Sequence, residues 1–186
     1  MLIDRTYFVG ELNIPNTAQA AISSQVDLFI EKYEEKFLRD VLGYTLNKAF
    51  QVGLQQPVID SKWTDLAYGV EYTALGGKVT YWRGLIDAIS GNVSFDVSPI
   101  ANYVYYWYQR NNHTQTATTG ENKAVNENST TASPSLKLVR AWNEMSIWIC
   151  ELVDYLNAKK DDYTEWADQD VYCMLKKFKP INEFNI

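Results

Sequence analysis

Between Thr17 and Leu42 the apolar residues Ile22, Val26, Phe29, Tyr33, Phe37 and Val41 recur every three or four positions. That period gathers them on one face and predicts a long amphipathic α-helix. Asp27, Glu31, Glu34, Glu35 and Arg39 fall largely elsewhere, and Glu35 and Arg39 stand i,i+4, the spacing of a favourable pair. Pro15 marks the boundary before the helix, and Asn16 is placed to cap it. Gly43 follows the last apolar position, where a C-terminal cap belongs. A shorter helical piece, Thr45 to Val52, is expected to fold back on the first. Gly53 to Pro57 reads as a loop, and Asp60 opens a brief helix that ends near Gly69.

The pattern then changes. Val70–Thr73 and Val79–Trp82 are β-branched and aromatic runs on either side of Gly76-Gly77, which predicts a β-hairpin over 70–83. Two strands alone are weak in water, so the hairpin needs helices or a partner to pack on. Ser98-Pro99 supplies a cap with proline at the first helical position. The helix that follows, Ile100 to Asn112, has Ile100, Tyr103, Val104, Trp107 and Tyr108 on one side and Tyr105 and Tyr106 on others. Apolar surface over so much of its circumference makes it a central or covered helix.

Residues 113–133 break the composition: Thr, Asn, Ser and Gly dominate, and Val125 is the only large aliphatic residue. The stretch is not core; it reads as a polar arm, either a long loop or an extended β-arm. After Ser133-Pro134 come Leu138, Trp142, Met145, Ile149, Leu152 and Leu156, at spacings of 4, 3, 4, 3 and 4. This heptad-like seam is the mark of a bundle core, on a helix ending near Lys159-Lys160, where basic residues complement the helix dipole. The tail holds a short helix over Trp166 to Phe178 and places Phe178, Ile181, Phe184 and Ile186 close together. Chain ends are usually polar, so this one is expected to dock on its own domain or on another protein. The fold class is therefore mainly α: a helical bundle over 1–160 with an inserted hairpin (70–83) and polar arm (113–133), then a docking tail over 161–186.

Composition narrows the function. The chain has 186 residues, ordinary for one domain, with 46% apolar and 14% aromatic content. Its 23 acidic and 17 basic residues give a net charge of −6, and no Lys/Arg stripe is present to neutralise phosphates. A protein so charged does not grip duplex DNA, though a negative channel wall lets DNA slide past. Cys150 and Cys173 form no C-x-x-C pair and have no nearby pair of histidines, so they read as reduced, mostly buried thiols rather than a zinc site. The N-terminus carries no basic region followed by an apolar one, and no stretch approaches the roughly 20 apolar residues of a membrane span.

No catalytic, cofactor-binding or metal-ligating constellation emerges. His113 is the lone histidine and sits in the polar arm. The acidic run Asp161, Asp162, Glu165, Asp168 and Asp170 lacks EF-hand spacing and reads as a solvated helix face. Neither G-x-G-x-x-G nor a Walker-type glycine loop occurs. The run Tyr103 to Tyr108 suits core or interface better than an exposed stacking platform.

The order of parts carries a resemblance. A long amphipathic helix leads into Leu42-Gly43-Tyr44 and a short helix ending near Phe50. Then come Trp82-Arg83-Gly84-Leu85 and the aromatic helix Ala101-Asn102-Tyr103-Val104-Tyr105-Tyr106. A Thr- and Gly-containing arm precedes Ala141-Trp142-Asn143-Glu144-Met145, and the chain closes with Phe178-Lys179-Pro180-Ile181-Asn182-Glu183-Phe184. This resembles the head–tail connector (adaptor, or neck ring) proteins of tailed bacteriophages, in particular those of phages of gut Bacteroidetes, including crAss-like phages. The resemblance implies a virion structural protein, assembled in the host cytoplasm, with no enzymatic activity and no cofactor. It implies a homo-oligomeric ring matched in copy number to a dodecameric portal protein, further tail or neck proteins as partners, and DNA passing without sequence-specific binding. It also gives candidate interface residues: Phe178, Pro180, Ile181, Phe184 and Ile186 in the tail, and Thr116, Thr118 and Val125 in the arm. The glycine-turn hairpin is a departure from shorter adaptors, so the resemblance assigns it no role. The other reading the residues allow is a carbohydrate-binding module or small glycoside-active protein, which requires exposed Trp and Tyr.

Overall fold

The structure is a computed structural model that describes residues 1–86, 96–112 and 135–182, together with the backbone of 115–117 and 120–122. It is mainly α. Helix α1 (Ala20–Leu54) is broken at Gly43, whose φ of 75° and ψ of 169° are not helical. The non-helical Gly43 therefore separates two helical stretches at the place where the first was expected to end and the second to begin. Asn16 adopts φ 62°, so it turns the chain instead of capping it; the helix starts at Ala20 with Gln19 in the cap position and no side-chain cap bond. Of the two i,i+4 pairings available near Arg39, the ion pair present is Lys36–Asp40, at 2.8 Å.

Upstream of α1, two short 3-10 turns (Arg5–Tyr7 and Gly10–Leu12) lay Ile3, Phe8 and Ile14 onto the core. Glu34 on α1 anchors this segment by accepting hydrogen bonds from the Leu2 N–H at 2.8 Å and the Ile3 N–H at 3.1 Å. Burial pushes the Glu34 carboxyl up, and these two amides offset part of that rise.

Helix α2 (Ser61–Tyr68) is capped by Asp60, which accepts from the Lys62 N–H. Strands β1 (Val70–Thr73) and β2 (Val79–Trp82) pair antiparallel, Val70 opposite Trp82 and Thr73 opposite Val79. This is the predicted hairpin, and it packs on a helix of its own chain. Helix α4 (Ser135–Ala158) brings Tyr155 against it: the Trp82 indole stacks on Tyr155 at 5.6 Å, and Tyr72 meets the same ring edge-on at 5.2 Å. Two indole N–H groups fix the base of the hairpin. Trp82 Nε1 donates to the Leu66 carbonyl at 3.1 Å, and Trp148 Nε1 donates to the Gly84 carbonyl at 2.9 Å. Gly84, at φ 89°, crosses the end of α2 so closely that a Cβ would meet the Ala67 carbonyl and the backbone of Tyr68.

Helix α3 (Pro99–Asn112) packs against both α1 and α4, as its aromatic circumference predicts. Ser98 opens it: its hydroxyl donates to the Leu85 carbonyl at 2.7 Å and accepts from the Ile100 N–H at 3.1 Å. Part of the predicted arm is a second hairpin, β3 (Gln115–Ala117) antiparallel to β4 (Gly120–Asn122); the rest of 113–133 lies outside the described residues. The seam on α4 is core as expected, with Met145, Ile149, Leu152 and Leu156 buried and Trp142 half-buried.

The tail departs from the single helix expected over Trp166 to Phe178. A 3-10 helix (Thr164–Asp168) and α5 (Val171–Lys177) are separated by extended backbone at Gln169, and Asp170 caps α5 by accepting from the Cys173 N–H at 2.9 Å. The acidic run is mostly exposed, as expected, but divided: Asp161 and Asp162 lie on a turn, Glu165 and Asp168 on the 3-10 helix, and Asp170 caps α5. Tyr163, Trp166, Met174 and Phe178 of the tail belong to the same core as α1, α3 and α4.

Candidate functional site

Phe178, the first of the tail residues singled out above, is 2% exposed. Its ring lies 6.0 Å from Phe37 on α1, 6.0 Å from Tyr103 on α3 and 6.1 Å from Trp142 on α4, where it stacks. It joins all three long helices at one point. Immediately beyond it the backbone is latched to α4. Trp142 Nε1 donates to the Lys179 carbonyl at 2.9 Å. Asn143 then pairs with Ile181 in both directions: its Nδ2 donates to the Ile181 carbonyl at 2.9 Å, and its Oδ1 accepts from the Ile181 N–H at 2.8 Å. Of the two docking targets the sequence allows, the part of the tail up to Ile181 is docked on its own domain. Pro180 is exposed beside the latch.

Phe184, Ile186, Thr118 and Val125 lie outside the described residues. Thr116 sits in β3 opposite Glu121. The structure thus brings Phe178 and Ile181 together on α4 and leaves Lys179 and Pro180 exposed between them.

An electrostatic tie reinforces the tail. Asp40 on α1 receives ion pairs from Lys36 of its own helix and from Lys177 at the end of α5. Burial alone would raise the Asp40 carboxyl, but hydrogen bonds from Lys177 and Lys36 outweigh it and hold the group below its ordinary range. Tyr163 supplies a third anchor. Its hydroxyl donates to the Lys62 carbonyl, so the 2.8 Å bond between the two phenols has Tyr155 as donor. Burial pushes the Tyr155 hydroxyl up to about 12 and raises that of Tyr163 as well, so both stay neutral and able to donate.

The surface that sequence reasoning missed is the outer face of the hairpin. Strand register puts Val70, Tyr72, Thr80 and Trp82 on the face toward α4, and Glu71, Thr73, Val79 and Tyr81 on the other. Val79 is 62% exposed and Tyr81 53%, and Leu75 at the turn is 79% exposed. The signal was in the sequence: Val-Thr-Tyr-Trp carries large side chains at both odd and even positions, so a strand with one buried face must expose two of them.

Cys150 and Cys173 are free, as expected, but both are exposed rather than buried. Cys150 falls one residue past the buried Ile149 on α4, off the seam, and Cys173 lies on the outer side of α5. Among the described residues no group of three His, Cys, Asp or Glu side chains is placed to hold a metal ion, and no helix is long and apolar enough to cross a membrane. His113 lies outside the described residues. None of the six tryptophans is exposed: Trp63, Trp82, Trp148 and Trp166 are buried, and Trp107 and Trp142 are half-buried among rings of their own chain. No protein-family model matches the chain, and no curated protein or solved structure is significantly similar to it.

Proposed function

We propose that this protein is a structural component of a phage virion, forming a homo-oligomeric ring at the head–tail junction that joins the portal protein to the tail and extends the DNA channel. The observation that carries the reading is a helical bundle bearing a hairpin whose inner face is committed to α4 while its outer face presents Val79, Tyr81 and Leu75 to solvent. A two-stranded sheet that exposes Val79 and Tyr81 beside Glu71 and Thr73, with unpaired edges, is suited to pairing with the next copy around a ring. The β3–β4 arm offers a second such edge. The net charge of −6 suits a conduit through which DNA slides without sequence-specific binding.

The tail latch refines the proposal. Phe178 is committed to the chain's own core, so contacts to the portal or a neighbouring subunit fall to Pro180, Phe184 and Ile186 and to the arm residues Thr116, Thr118 and Val125. The test is negative-stain electron microscopy of the protein mixed with the portal protein encoded near its gene. An added ring of density below the portal, lost when residues 183–186 are removed, supports the connector reading; absence of any complex at tens of micromolar sinks it. Removal of the whole tail from Phe178 is a poor variant, because it opens the core. The carbohydrate reading finds exposed tyrosines (Tyr44, Tyr68, Tyr81 and Tyr172) but no exposed tryptophan, and saturable binding on a glycan array would favour it over the connector reading.

A further inference from the structure

Residues 1–14 form an arm that doubles back along α1. Its buried residues Ile3, Tyr7, Phe8 and Ile14 join the main core. Arg5 pairs with Asp27 at 3.2 Å, and the Leu2 and Ile3 amides meet Glu34, about two turns further along the helix. The chain must therefore reverse before α1 to seat the arm. It does so in residues 15–19, where Thr17 is half-buried and the other four residues are exposed. The reversal holds Asn16 at φ 62°, in the left-handed region that favours glycine, and closes with the Gln19 N–H donating to the Asn16 carbonyl at 2.9 Å.

The local sequence favours another form of this link. Asn16 is followed three residues later by Gln19, the spacing of a capping box at the start of a helix. That signal sets the start of α1 at Thr17, yet the helix begins at Ala20, with no side-chain bond to its first turn. Local preference and the seated arm are thus in conflict at this one place. A helix extended back to Thr17 would release Asn16 from its left-handed conformation and make it the missing cap. It would also point residues 1–15 off the end of α1, away from Asp27 and Glu34 of the same chain.

We propose that residues 1–14 are an exchangeable arm, seated in its own chain when the link turns and in the identical groove of a second copy when the link is helical. The occupant follows from the contacts themselves. Ile3, Phe8 and Ile14 find the same core, and Asp27 and Glu34 the same partners, whichever chain supplies the arm. Exchange therefore gives up no buried contact and alters only the exposed link. It joins two copies at a place remote in sequence from the hairpin, and it needs no portal, so it does not rest on the connector reading.

The test is isotope mixing of the whole chain. Arg5→Lys keeps the charge beside Asp27 and lets a carbodiimide join the two side chains as an amide. Equal amounts of ordinary and heavy-nitrogen-labelled Arg5→Lys protein are refolded together from urea at hundreds of micromolar, cross-linked and digested. Peptides joining residues 5 and 27 should then contain one light and one heavy partner, approaching half of that product as exchange completes. Peptides joining Lys177 to Asp40, an ion pair outside the arm, should stay unmixed. Asn16→Thr keeps a capping residue but is β-branched and resists the left-handed turn, so it should raise the mixed fraction. Ala18→Gly weakens a helical link and should lower the ratio of exchanged to closed chains about fivefold. These substitutions all lie on exposed positions, so folding is not at stake. Mixed pairs no more frequent at residues 5 and 27 than at Lys177 and Asp40, with Asn16→Thr as with the parent link, would overturn the exchange. Equal mixing in Asn16→Thr and Ala18→Gly would overturn the link as its switch.

Discussion

The side-chain amide of Gln169 closes the break that Gly43 opens in α1. Its Nε2 donates to the Asp40 carbonyl at 3.0 Å and to the Val41 carbonyl at 3.1 Å, two acceptors that a continuous helix would satisfy from its own next turn. Its Oε1 stands 2.7 Å from where a Cβ on Gly43 would be. The two residues are 126 positions apart in sequence (169 minus 43), and each explains the other.

Gly43→Ala is therefore expected to destabilise twice over. With φ at 75° and ψ at 169° the backbone is in a region reserved for glycine, at a cost of about 1–3 kcal/mol, and the new methyl displaces Gln169. Gln169→Ala leaves both carbonyls without their donor, a loss of about 1–3 kcal/mol. Because the two share one structural unit, the double variant should lose less than the sum. Urea denaturation of the three variants measures this, and strict additivity would refute the linkage.

Asp40 makes the tail sensitive to acid. Its carboxyl titrates lower in the folded chain than in the unfolded one, so the stability it contributes is complete above the unfolded value of about 3.9 and is lost as pH falls through the lowered folded value. Asp40→Asn removes that contribution. Near neutral pH the variant should be less stable by about 1 kcal/mol, since its partner lysines are partly exposed. The gap to the parent should close at acid pH. A gap constant across an acid titration of melting midpoints would show that the lysines do not act through the charge.

Both thiols should react with a soluble disulfide reagent in the folded state, but slowly at neutral pH. Each is exposed, yet each is held in the protonated form. Cys150 is raised by partial burial and by Asp154 and Glu151, and Cys173 by its hydrogen bond to Asp170 and that residue's charge. Reaction should accelerate as pH rises past the ordinary thiol range. Labelling only after denaturation would contradict the exposure of both.

Phe178→Ala should cost the free protein about 3–5 kcal/mol, as removal of a fully buried aromatic ring does. Asn143→Ala, which releases Ile181 from α4, should cost about 1 kcal/mol. If both variants melt like the parent and differ only in assembly, Phe178 is a contact residue and its packing against Phe37, Tyr103 and Trp142 is not what holds the tail.

What the sequence made legible followed from periodicity. The seam Leu138–Leu156 and the face Val26–Phe37–Val41 are buried because a 3.6-residue period with large apolar side chains has one stable outcome in a bundle. The hairpin strands at Val70–Thr73 and Val79–Trp82 were legible in the same way, from β-branched runs flanking a glycine turn. What escaped depends on partners distant in sequence. No local signal says that Gln169 sits under Gly43, that Phe178 reaches Phe37, or that Glu34 receives the Leu2 and Ile3 amides. Cys150 escaped for another reason: residue type suggests burial on average, whereas its place on α4 is set by the heptad, and the heptad turns it outward.

The hairpin face separates folding from assembly most directly. Val79 and Tyr81 project away from α4 and contribute little to the core, whereas Tyr72 and Trp82 on the opposite face pack on Tyr155. Val79→Asp with Tyr81→Asp should therefore leave the monomer folded, shifting stability by about 0.5 kcal/mol or somewhat more where strand propensity is lost. Trp82→Ala should cost about 3–5 kcal/mol and disturb the end of α2, because it empties a fully buried site and removes the bond to the Leu66 carbonyl. On the connector reading, the two aspartates put like charges and unmatched polar groups into the contact between copies and should abolish the ring on the portal. Melting curves and electron microscopy of the same preparations read the two effects separately. A folded double variant that still forms rings would show that the contact between copies lies elsewhere, and attention would pass to the arm at β3 and β4.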